Sequence, residues 1–373
     1  MLSLVRRFCA RGVNHTDMDG HCHLDSLFPR IGSTLDRIAI ASLPTPVVER
    51  QLQADGRRQS IWIKEDNRTG KLYGGNKLRK LEYLLRPPLA KGRERIATFG
   101  AAGSHHALAT ALYARKLGLD ATAFLAHQRR TPAIAATLNM HLENGTELVC
   151  YGGDYARRIA LLRQHLWGRN AWVVPAGGSS WLGTVGFVNA GLELAAQVSS
   201  GELPEPARVY VPTGTMSTAA GLGLGFALAG LDTELHAVRV SEPSYARQEV
   251  LDRLARKTCY MLNRIDKGFP ADLYLHARSI LRHEFFGTGY AHSNRETDAA
   301  IVFARDQLGI ELEATYTGKA MAALVADVVA AGFGAPVLFW NTYHSAPLPV
   351  PSETPLHPAA LPDEFRSYFP GAR

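Results

Sequence analysis

The segment RVYVPTGTMSTAAGLGLGFALA, residues 208–229, is enough to set the fold class. Its β-rich start at 208–211 predicts a strand, and the small apolar residues of 217–229 predict a helix. The loop between them carries several hydroxyl groups and ends where the helix presents its free N–H groups. We favour a phosphate cradle here over a plain capped helix. No Gly-Lys-Ser/Thr follows, so this is not a Walker loop, and the glycines inside the helix indicate close helix packing.

The same alternation of strand and helix continues on both sides of this segment. Further strands are predicted at 60–64, 95–99, 121–125, 147–150, 171–174, 234–240 and 336–340. Helices are predicted at 78–85, 100–117, 132–142, 154–167, 184–198, 241–257, 296–308 and 317–331. This order predicts an α/β protein with mostly parallel sheets and helices on both faces. Ligands of such sheets lie past the carboxyl ends of the strands.

Composition narrows the class of protein further. The chain has 373 residues, 46% hydrophobic and 20% charged, which is typical of a folded protein with about two domains. The longest weakly polar run, 219–231, is too short to span a membrane. The net charge of +7 is scattered along the chain, so we expect no nucleic-acid partner. The well-separated cysteines, Cys9, Cys22, Cys150 and Cys259, favour a reducing cytoplasm.

The N-terminal segment is expected to be a tail up to residue 30. Its first ten residues hold too short an apolar stretch for a signal peptide. His21, Cys22, His23 and Asp25 resemble a metal cluster. Neighbours on one loop do not supply a tetrahedral set alone, so we favour a solvated tail and expect no metal.

A second motif, YGGNKLRKLEY at 73–83, opens a predicted helix. Its two glycines let the backbone approach a ligand closely. Lys77 is followed by Arg79 and Lys80, and we expect these cations to lower the pKa of Lys77. A lysine that can lose its proton is what imine chemistry requires. The pattern alone equally allows a basic helix start on the surface.

Three more segments stand at predicted loop-to-helix junctions. In GAAGSHHALAT at 100–110, Ser104 could cap a helix, or the N–H groups beside it could hold a carboxylate. For this segment alone we favour the helix cap. Taken singly, ATYTGKAM at 314–321 is a capped helix and PAGGSSWLGTVG at 175–186 is a turn.

Taken together and in this order, these motifs resemble the pyridoxal-phosphate enzymes of fold type II, the tryptophan synthase β-like class. Within that class the chain resembles the 1-aminocyclopropane-1-carboxylate deaminase and D-cysteine desulfhydrase family, over about residues 40–345. The resemblance implies a small domain at 80–183 inserted in a large one, 31–79 and 184–373, with the cofactor in the cleft between them. It also implies a homodimer and a small amino-acid substrate.

The resemblance assigns a role to individual residues. Lys77 would hold the cofactor as an internal aldimine, with Asn76 near its phenolic oxygen and Thr317 facing its pyridine nitrogen. Ser104 would lie beside the substrate α-carbon, and Tyr290 and Tyr316 would line the substrate face. The cofactor-binding set is completed by His105 and by the loop expected to hold the 5′-phosphate, Gly214, Thr215, Met216, Ser217 and Thr218.

Thr317 bears on the reaction. The ring-opening deaminases of this family carry Glu at the matching place, whereas desulfhydrase-like members carry Thr. A hydroxyl leaves the pyridine nitrogen neutral, so Thr317 favours β-elimination that gives pyruvate and ammonia. Ring opening of the 1-aminocyclopropane-1-carboxylate deaminase type is the alternative, and the cofactor supplies the hard chemistry in either case.

This chain departs from the family pattern at three places. His105 follows Ser104 where Asn is usual, Met216 and Ser217 replace glycines, and the late loop is Asn341-Thr-Tyr-His344. His105 and His344 could add acid–base groups, although packing or hydrogen-bonding replacements are favoured. These departures also motivate an alternative of another class, a non-catalytic relative that binds pyridoxal phosphate or a small anion.

Overall fold

The computed structural model describes residues 22–54, 57–331, 334–344 and 354–369. Strands β1 to β10 of these residues are Val47–Ala54, Arg57–Lys64, Arg95–Ala101, Asp120–Ala126, Glu147–Cys150, Ala171–Val174, Arg208–Thr213, Glu234–Arg239, Ser279–Arg282 and Val337–Trp340. Helices α1 to α12 are His23–Leu27, Pro29–Leu35, Lys77–Leu84, Arg86–Ala90, His105–Lys116, Pro132–Glu143, Tyr155–Leu166, Trp181–Ser199, Ser217–Ala229, Gln248–Ile265, Arg295–Phe303 and Thr317–Ala331. None of the described helices is long and apolar enough to cross a lipid bilayer.

The described residues form two compact units. The larger comprises 22–83 and 179–344, and the smaller comprises 84–178 and 354–369. The sequence boundaries, 80 and 183, differ from these by a few residues. The sequence also placed the whole chain after 184 in the large domain, whereas the structure puts 354–369 in the smaller unit.

The larger unit is built on a six-stranded sheet in the order β1-β2-β10-β7-β8-β9. Only the β1–β2 pair is antiparallel among these strands, and the other neighbours run parallel. The central strands β7 and β10 are apolar on both faces, which is the pattern of parallel strands covered by helices. The fold class expected from the sequence is therefore confirmed.

Helices α8 and α9 cross closely because both carry glycine at their contact. A Cβ added to Gly191 would lie 2.8 Å from the Cα of Gly225, and one added to Gly221 would lie 2.4 Å from the Cβ of Phe187. No larger side chain fits at these points. The glycines after the hydroxyl loop thus serve helix packing, as the sequence indicated.

The smaller unit has a four-stranded parallel sheet in the order β5-β4-β3-β6. The C-terminal segment packs on it through Leu361, Phe365 and Tyr368, which share one apolar cluster with residues such as Leu125. The Tyr368 hydroxyl accepts from the backbone N–H of Gln128 at 2.9 Å and donates to its carbonyl at 2.8 Å. These contacts explain why the segment belongs to the smaller unit.

Residues 22–30 are not a tail, which corrects the expectation for the described part of that segment. They form α1 and the start of α2, and Leu24 and Phe28 are buried in the main core of the larger unit. The Cys22 thiol is buried, lies 3.4 Å from the Tyr83 hydroxyl, and has its pKa raised to about 12 by that burial. His21 lies outside the described residues, and within them no group of three or more His, Cys, Asp or Glu could hold a metal ion.

Candidate active site

The loop that carries Lys77 requires glycine at two positions. A Cβ on Gly74 would lie 2.2 Å from the Asn67 carbonyl, and Gly75 has a φ of +91°. Three backbone N–H groups fix the loop. The N–H of Gly75 donates to the Asp66 carbonyl at 3.1 Å, and the N–H of Asn76 donates to the Thr342 carbonyl at 3.3 Å. The N–H of Gly74 donates to His344 Nδ1 at 3.1 Å. The loop therefore delivers Lys77 at the start of α3 in one defined position.

Lys77 has the lowered pKa that the sequence predicted, but for a different reason. Burial lowers its pKa to about 8, and the charge of Glu313 opposes that shift. Arg79 is not the cause, because its guanidinium is bonded to Asp66 at 2.9 Å and to Glu193 at 2.9 Å. Desolvation of the amine is therefore the main cause, and the prediction that neighbouring cations cause the shift is wrong for Arg79.

Asn76 links the lysine to the hydroxyl loop. The Lys77 amine donates to Asn76 Oδ1 at 2.8 Å, and Asn76 Nδ2 lies 3.4 Å from the Thr218 hydroxyl, to which it donates. Asn76 and Thr218 are both buried. Two segments that are 142 residues apart in sequence thus meet at one place in the larger unit.

The hydroxyl loop fits an anionic phosphate. The start of α9 has no side-chain cap, and the Ser217 hydroxyl is buried without a hydrogen-bond partner within the described residues. Met216 has a φ of +67°, which explains why glycine is usual there, and its side chain is buried in the core. The Ser179 hydroxyl donates to the Thr215 carbonyl at 2.5 Å and lies 2.7 Å from the Thr215 hydroxyl, and so holds the loop in place. Uncapped N–H groups and an unpartnered hydroxyl suit phosphate oxygens.

The two predicted tyrosines lie together beside this loop. The hydroxyls of Tyr290 and Tyr316 are 2.8 Å apart, and burial raises the pKa of Tyr290 to about 12. A Cβ on Gly214 would lie 3.6 Å from Cε1 of Tyr316. The tyrosine pair, both members neutral at physiological pH, therefore borders the hydroxyl loop.

Thr317 is held by a residue that the sequence analysis did not single out. The N–H of Glu313 donates to the Thr317 hydroxyl at 3.0 Å, while the Glu313 carboxylate accepts from the N–H groups of Tyr316 and Thr317, each at 2.8 Å. Glu313 thus fixes the start of α12 and also acts electrostatically on Lys77. An acidic residue four positions before a helix start is a capping signal that could have revealed it.

The late loop packs against the lysine loop. The His344 ring stacks on Tyr73 with centroids 3.8 Å apart, and both side chains are buried. Since His344 also accepts from Gly74, these contacts favour the packing and hydrogen-bonding role over the acid–base one. Asn341 accepts from the N–H of Tyr343 at 3.2 Å.

Ser104 and His105 belong to the smaller unit, at the start of α5. The Ser104 hydroxyl accepts from the N–H of Ala107 at 3.2 Å, so it is the N-cap that the segment alone favoured. Their roles towards substrate and cofactor stay predictions.

In an α/β unit, a half-buried lysine of lowered pKa lies beside a helix start with no side-chain cap and an unpartnered hydroxyl, an arrangement that suits a phosphorylated aldehyde cofactor. The chain belongs to the pyridoxal-phosphate dependent enzyme family, which matches residues 38–342. This membership confirms the expected family, cofactor and enzyme class, a pyridoxal-phosphate-dependent lyase or deaminase.

Individual relatives narrow the family further. D-cysteine desulfhydrases of Klebsiella pneumoniae and Serratia proteamaculans are each 32% identical over 323 residues, which is 82% of this chain and 93% of theirs. The crystal structure of an ACC deaminase homologue is 29% identical and superposes with a TM-score of 0.68, covering 85% of this chain and 95% of that one. A pyridoxal 5′-phosphate-dependent aspartate racemase, 15% identical, shares the fold with a TM-score of 0.58 over 86% of this chain and 97% of its own.

The pKa of Lys77 predicts how cofactor uptake depends on pH. Only the neutral amine attacks an aldehyde, and with a pKa of about 8 its fraction rises roughly tenfold from pH 7 to pH 9 and then levels off. A lysine at its ordinary pKa would gain roughly a hundredfold over that range and keep rising. We expect the uptake rate of pyridoxal phosphate, followed by absorbance, to reach a plateau near pH 9. A rate still climbing steeply above pH 9 would contradict this pKa.

Proposed function

We propose that the protein is a lyase that removes a β-substituent from a small amino acid, with D-cysteine as the leading substrate. The products would be pyruvate, ammonia and the leaving group. The observation that carries the proposal is the Lys77 amine, which donates to Asn76 next to the hydroxyl loop that contains Ser217. The D-cysteine desulfhydrase relatives support the choice of substrate.

The residues divide the work of holding the cofactor. Lys77 would bind its aldehyde carbon, Asn76 its phenolic oxygen and Thr317 its pyridine nitrogen. The phosphate would lie on the loop Gly214, Thr215, Met216, Ser217 and Thr218. When bound, pyridoxal phosphate supplies an electron sink that acidifies the substrate α-carbon.

The remaining steps need groups that move or hold protons. The Lys77 amine, with a pKa near 8, can accept and return a proton close to neutral pH. We propose Ser104 as a second group near the α-carbon. Tyr290 and Tyr316 keep their protons at that pH because burial raises both pKa values, so they would orient the substrate as hydrogen-bonding groups.

Thr317 separates this reaction from ring opening of the 1-aminocyclopropane-1-carboxylate deaminase type. The side chain at the predicted pyridine-nitrogen position is a hydroxyl, which accepts from the N–H of Glu313 at 3.0 Å and lies 3.3 Å from the Glu313 carboxylate. Ring opening is the second candidate reaction, supported by the Tyr290–Tyr316 pair and by the structural similarity to the ACC deaminase homologue. Supplying each substrate in turn decides between them, because only ring opening yields 2-ketobutyrate.

The test is turnover by the purified, cofactor-loaded protein. We expect pyruvate from D-cysteine and from 3-chloro-alanine, measured with lactate dehydrogenase as reporter, and sulfide from D-cysteine alone. A panel of D- and L-amino acids then defines stereochemistry. An intact cofactor band with no keto acid from any panel member would overturn the proposal in favour of a non-catalytic binder.

We further propose that the enzyme is a cytoplasmic homodimer. The free thiols of Cys22, Cys150 and Cys259 fit a reducing compartment. Light scattering coupled to size-exclusion chromatography tests the dimer, and a monomer mass across micromolar concentrations would exclude it.

A further inference from the structure

Lys319 is the residue of the ATYTGKAM motif to which the proposed function gives no role. It lies on α12, two positions after Thr317, and its side chain is completely buried. Burial lowers its pKa to about 8, with the charge of Glu313 opposing the shift. Burying a lysine is unfavourable unless its ammonium group finds partners, so its contacts indicate what it does.

Among the described residues, the two hydrogen bonds of the Lys319 amine both go to one irregular segment between β9 and α11. The Lys319 amine donates to the Phe286 carbonyl at 2.5 Å and to the Gly289 carbonyl at 3.3 Å. It also lies 5.1 Å from the centroid of the Phe286 ring, and Arg239 stacks on that ring at 4.2 Å. Residues 286–290, here called the Tyr290 segment, are thus tied to α12 through their backbone.

The Tyr290 segment needs such a tie. It has no helix or strand of its own, and Ala291, directly after Tyr290, has a φ of +59°. A non-glycine residue in this region is strained and stays there only when its surroundings hold it. The segment ends in the Tyr290 hydroxyl, 2.8 Å from that of Tyr316, which precedes Lys319 by three residues.

We propose that Lys319 is a positioning residue: its ammonium group fixes the backbone of the Tyr290 segment and so holds the Tyr290 hydroxyl against Tyr316 at the substrate face. The substrate face itself rests on the proposed function. Tyr316 directly precedes α12 and Lys319 lies in its first turn, so both contact the segment from the same end of the helix. Tyr316 contacts the Tyr290 side chain, and Lys319 binds the backbone of the segment.

Lys319→Met tests the proposal, because it keeps the length of the side chain and removes the donors. We expect backbone amides of the Tyr290 segment to exchange hydrogen at least about tenfold faster, with those of α9 unchanged. This readout needs no substrate, so it stands even if the wild type makes no pyruvate. Unchanged exchange in the segment would overturn the proposal.

A double-mutant cycle supplies the second readout. We expect Lys319→Met to keep the cofactor band and to lower kcat/KM for D-cysteine about a hundredfold, since small misplacements of a substrate-facing group cost this much. In a Tyr290→Phe background the same change should cost less than about threefold, because the hydroxyl it positions is already gone. A full hundredfold loss in both backgrounds would contradict positioning through Tyr290.

Two further variants serve as controls for the Lys319→Met experiments. Lys91→Met removes an exposed lysine whose amine lies 4.8 Å from the Trp172 ring in the smaller unit, and should change neither readout more than about twofold. Lys319→Gln keeps a shorter donor. Failure of both Lys319→Met and Lys319→Gln to fold would overturn the proposal, because Lys319 would then support the whole larger unit.

Discussion

Lys77→Ala is expected to abolish both the cofactor absorption band near the violet edge of the visible and the release of pyruvate. The loss of turnover should be a thousandfold or more, roughly the range seen when a covalent group is removed. The reason is that, among the described residues, no other amine is hydrogen-bonded to Asn76 beside the hydroxyl loop. Absorbance after dialysis against pyridoxal phosphate, followed by the coupled assay, measures both effects.

Lys80 is the strongest alternative to Lys77 as the lysine that binds the cofactor covalently. It is buried on the same helix, and burial together with the charge of Lys77 lowers its pKa well below the ordinary value. Borohydride reduction of the loaded enzyme fixes the cofactor to its lysine, and peptide mass spectrometry then finds that lysine. We expect the label on Lys77 alone. A label on Lys80, or a band that persists in Lys77→Ala, would contradict the assignment.

Two controls show whether the effect belongs to the amine itself. Lys77→Arg keeps a positive charge but not a nucleophile, so it should lose the band as completely as alanine does. Lys71→Ala removes an exposed lysine from the same stretch of chain and should leave band and turnover within about twofold of wild type. Retention of the band in Lys77→Arg would show that charge alone binds the cofactor.

The sequence predicted most of the fold because its long elements are strongly patterned. The helices at 217–229 and 317–331 and the strand at 147–150 have the predicted bounds. Strand β1 was missed, because Val47–Ala54 is largely polar and lies at the sheet edge. Helices α1 and α2 were missed because five and seven residues are too few to establish a helical period.

The candidate site was predictable where a motif is continuous and not where partners come from distant segments. GGNK and the hydroxyl loop were recognised as single stretches. The contacts of Arg79 were not, because Asp66 and Glu193 are 13 and 114 residues away in sequence. The contact of Lys319 with the Tyr290 segment was not predicted either, because Lys319 and Phe286 are 33 residues apart in sequence. Local patterns reveal which groups are present, but their pairing is set by the tertiary fold.

The pairing of Arg79 leads to the largest expected effect on stability. Glu193 on α8 accepts from Arg79 at 2.9 Å and from Lys64 at 2.5 Å, and Asp66 accepts from Arg79 at 2.7 Å. All four side chains are buried, so two cations and two carboxylates balance inside the larger unit. Although burial alone would raise the pKa of Glu193, Arg79 and Lys64 hold it well below its usual value.

Glu193→Gln is expected to destabilise the protein by about 3–5 kcal/mol, because it leaves one buried positive charge without its partner. Urea denaturation of wild type and variant measures the difference. The matched control is Glu364→Gln, whose ion pair with Arg157 is about half exposed and should cost less than about 0.5 kcal/mol. A loss below about 1 kcal/mol in Glu193→Gln would show that the network is not balanced in this way.

The pH dependence provides an independent check on the same network. Because the pKa of Glu193 is depressed in the folded protein, its contribution is present above the ordinary glutamate pKa and is lost as pH falls below it. In Glu193→Gln we expect the excess positive charge to be relieved by loss of a proton from Lys64, because burial already lowers its pKa. The penalty should therefore shrink from pH 7 to pH 9, whereas that of Glu364→Gln should stay constant. A penalty that grows with pH would mean that Lys64 is not the group that compensates.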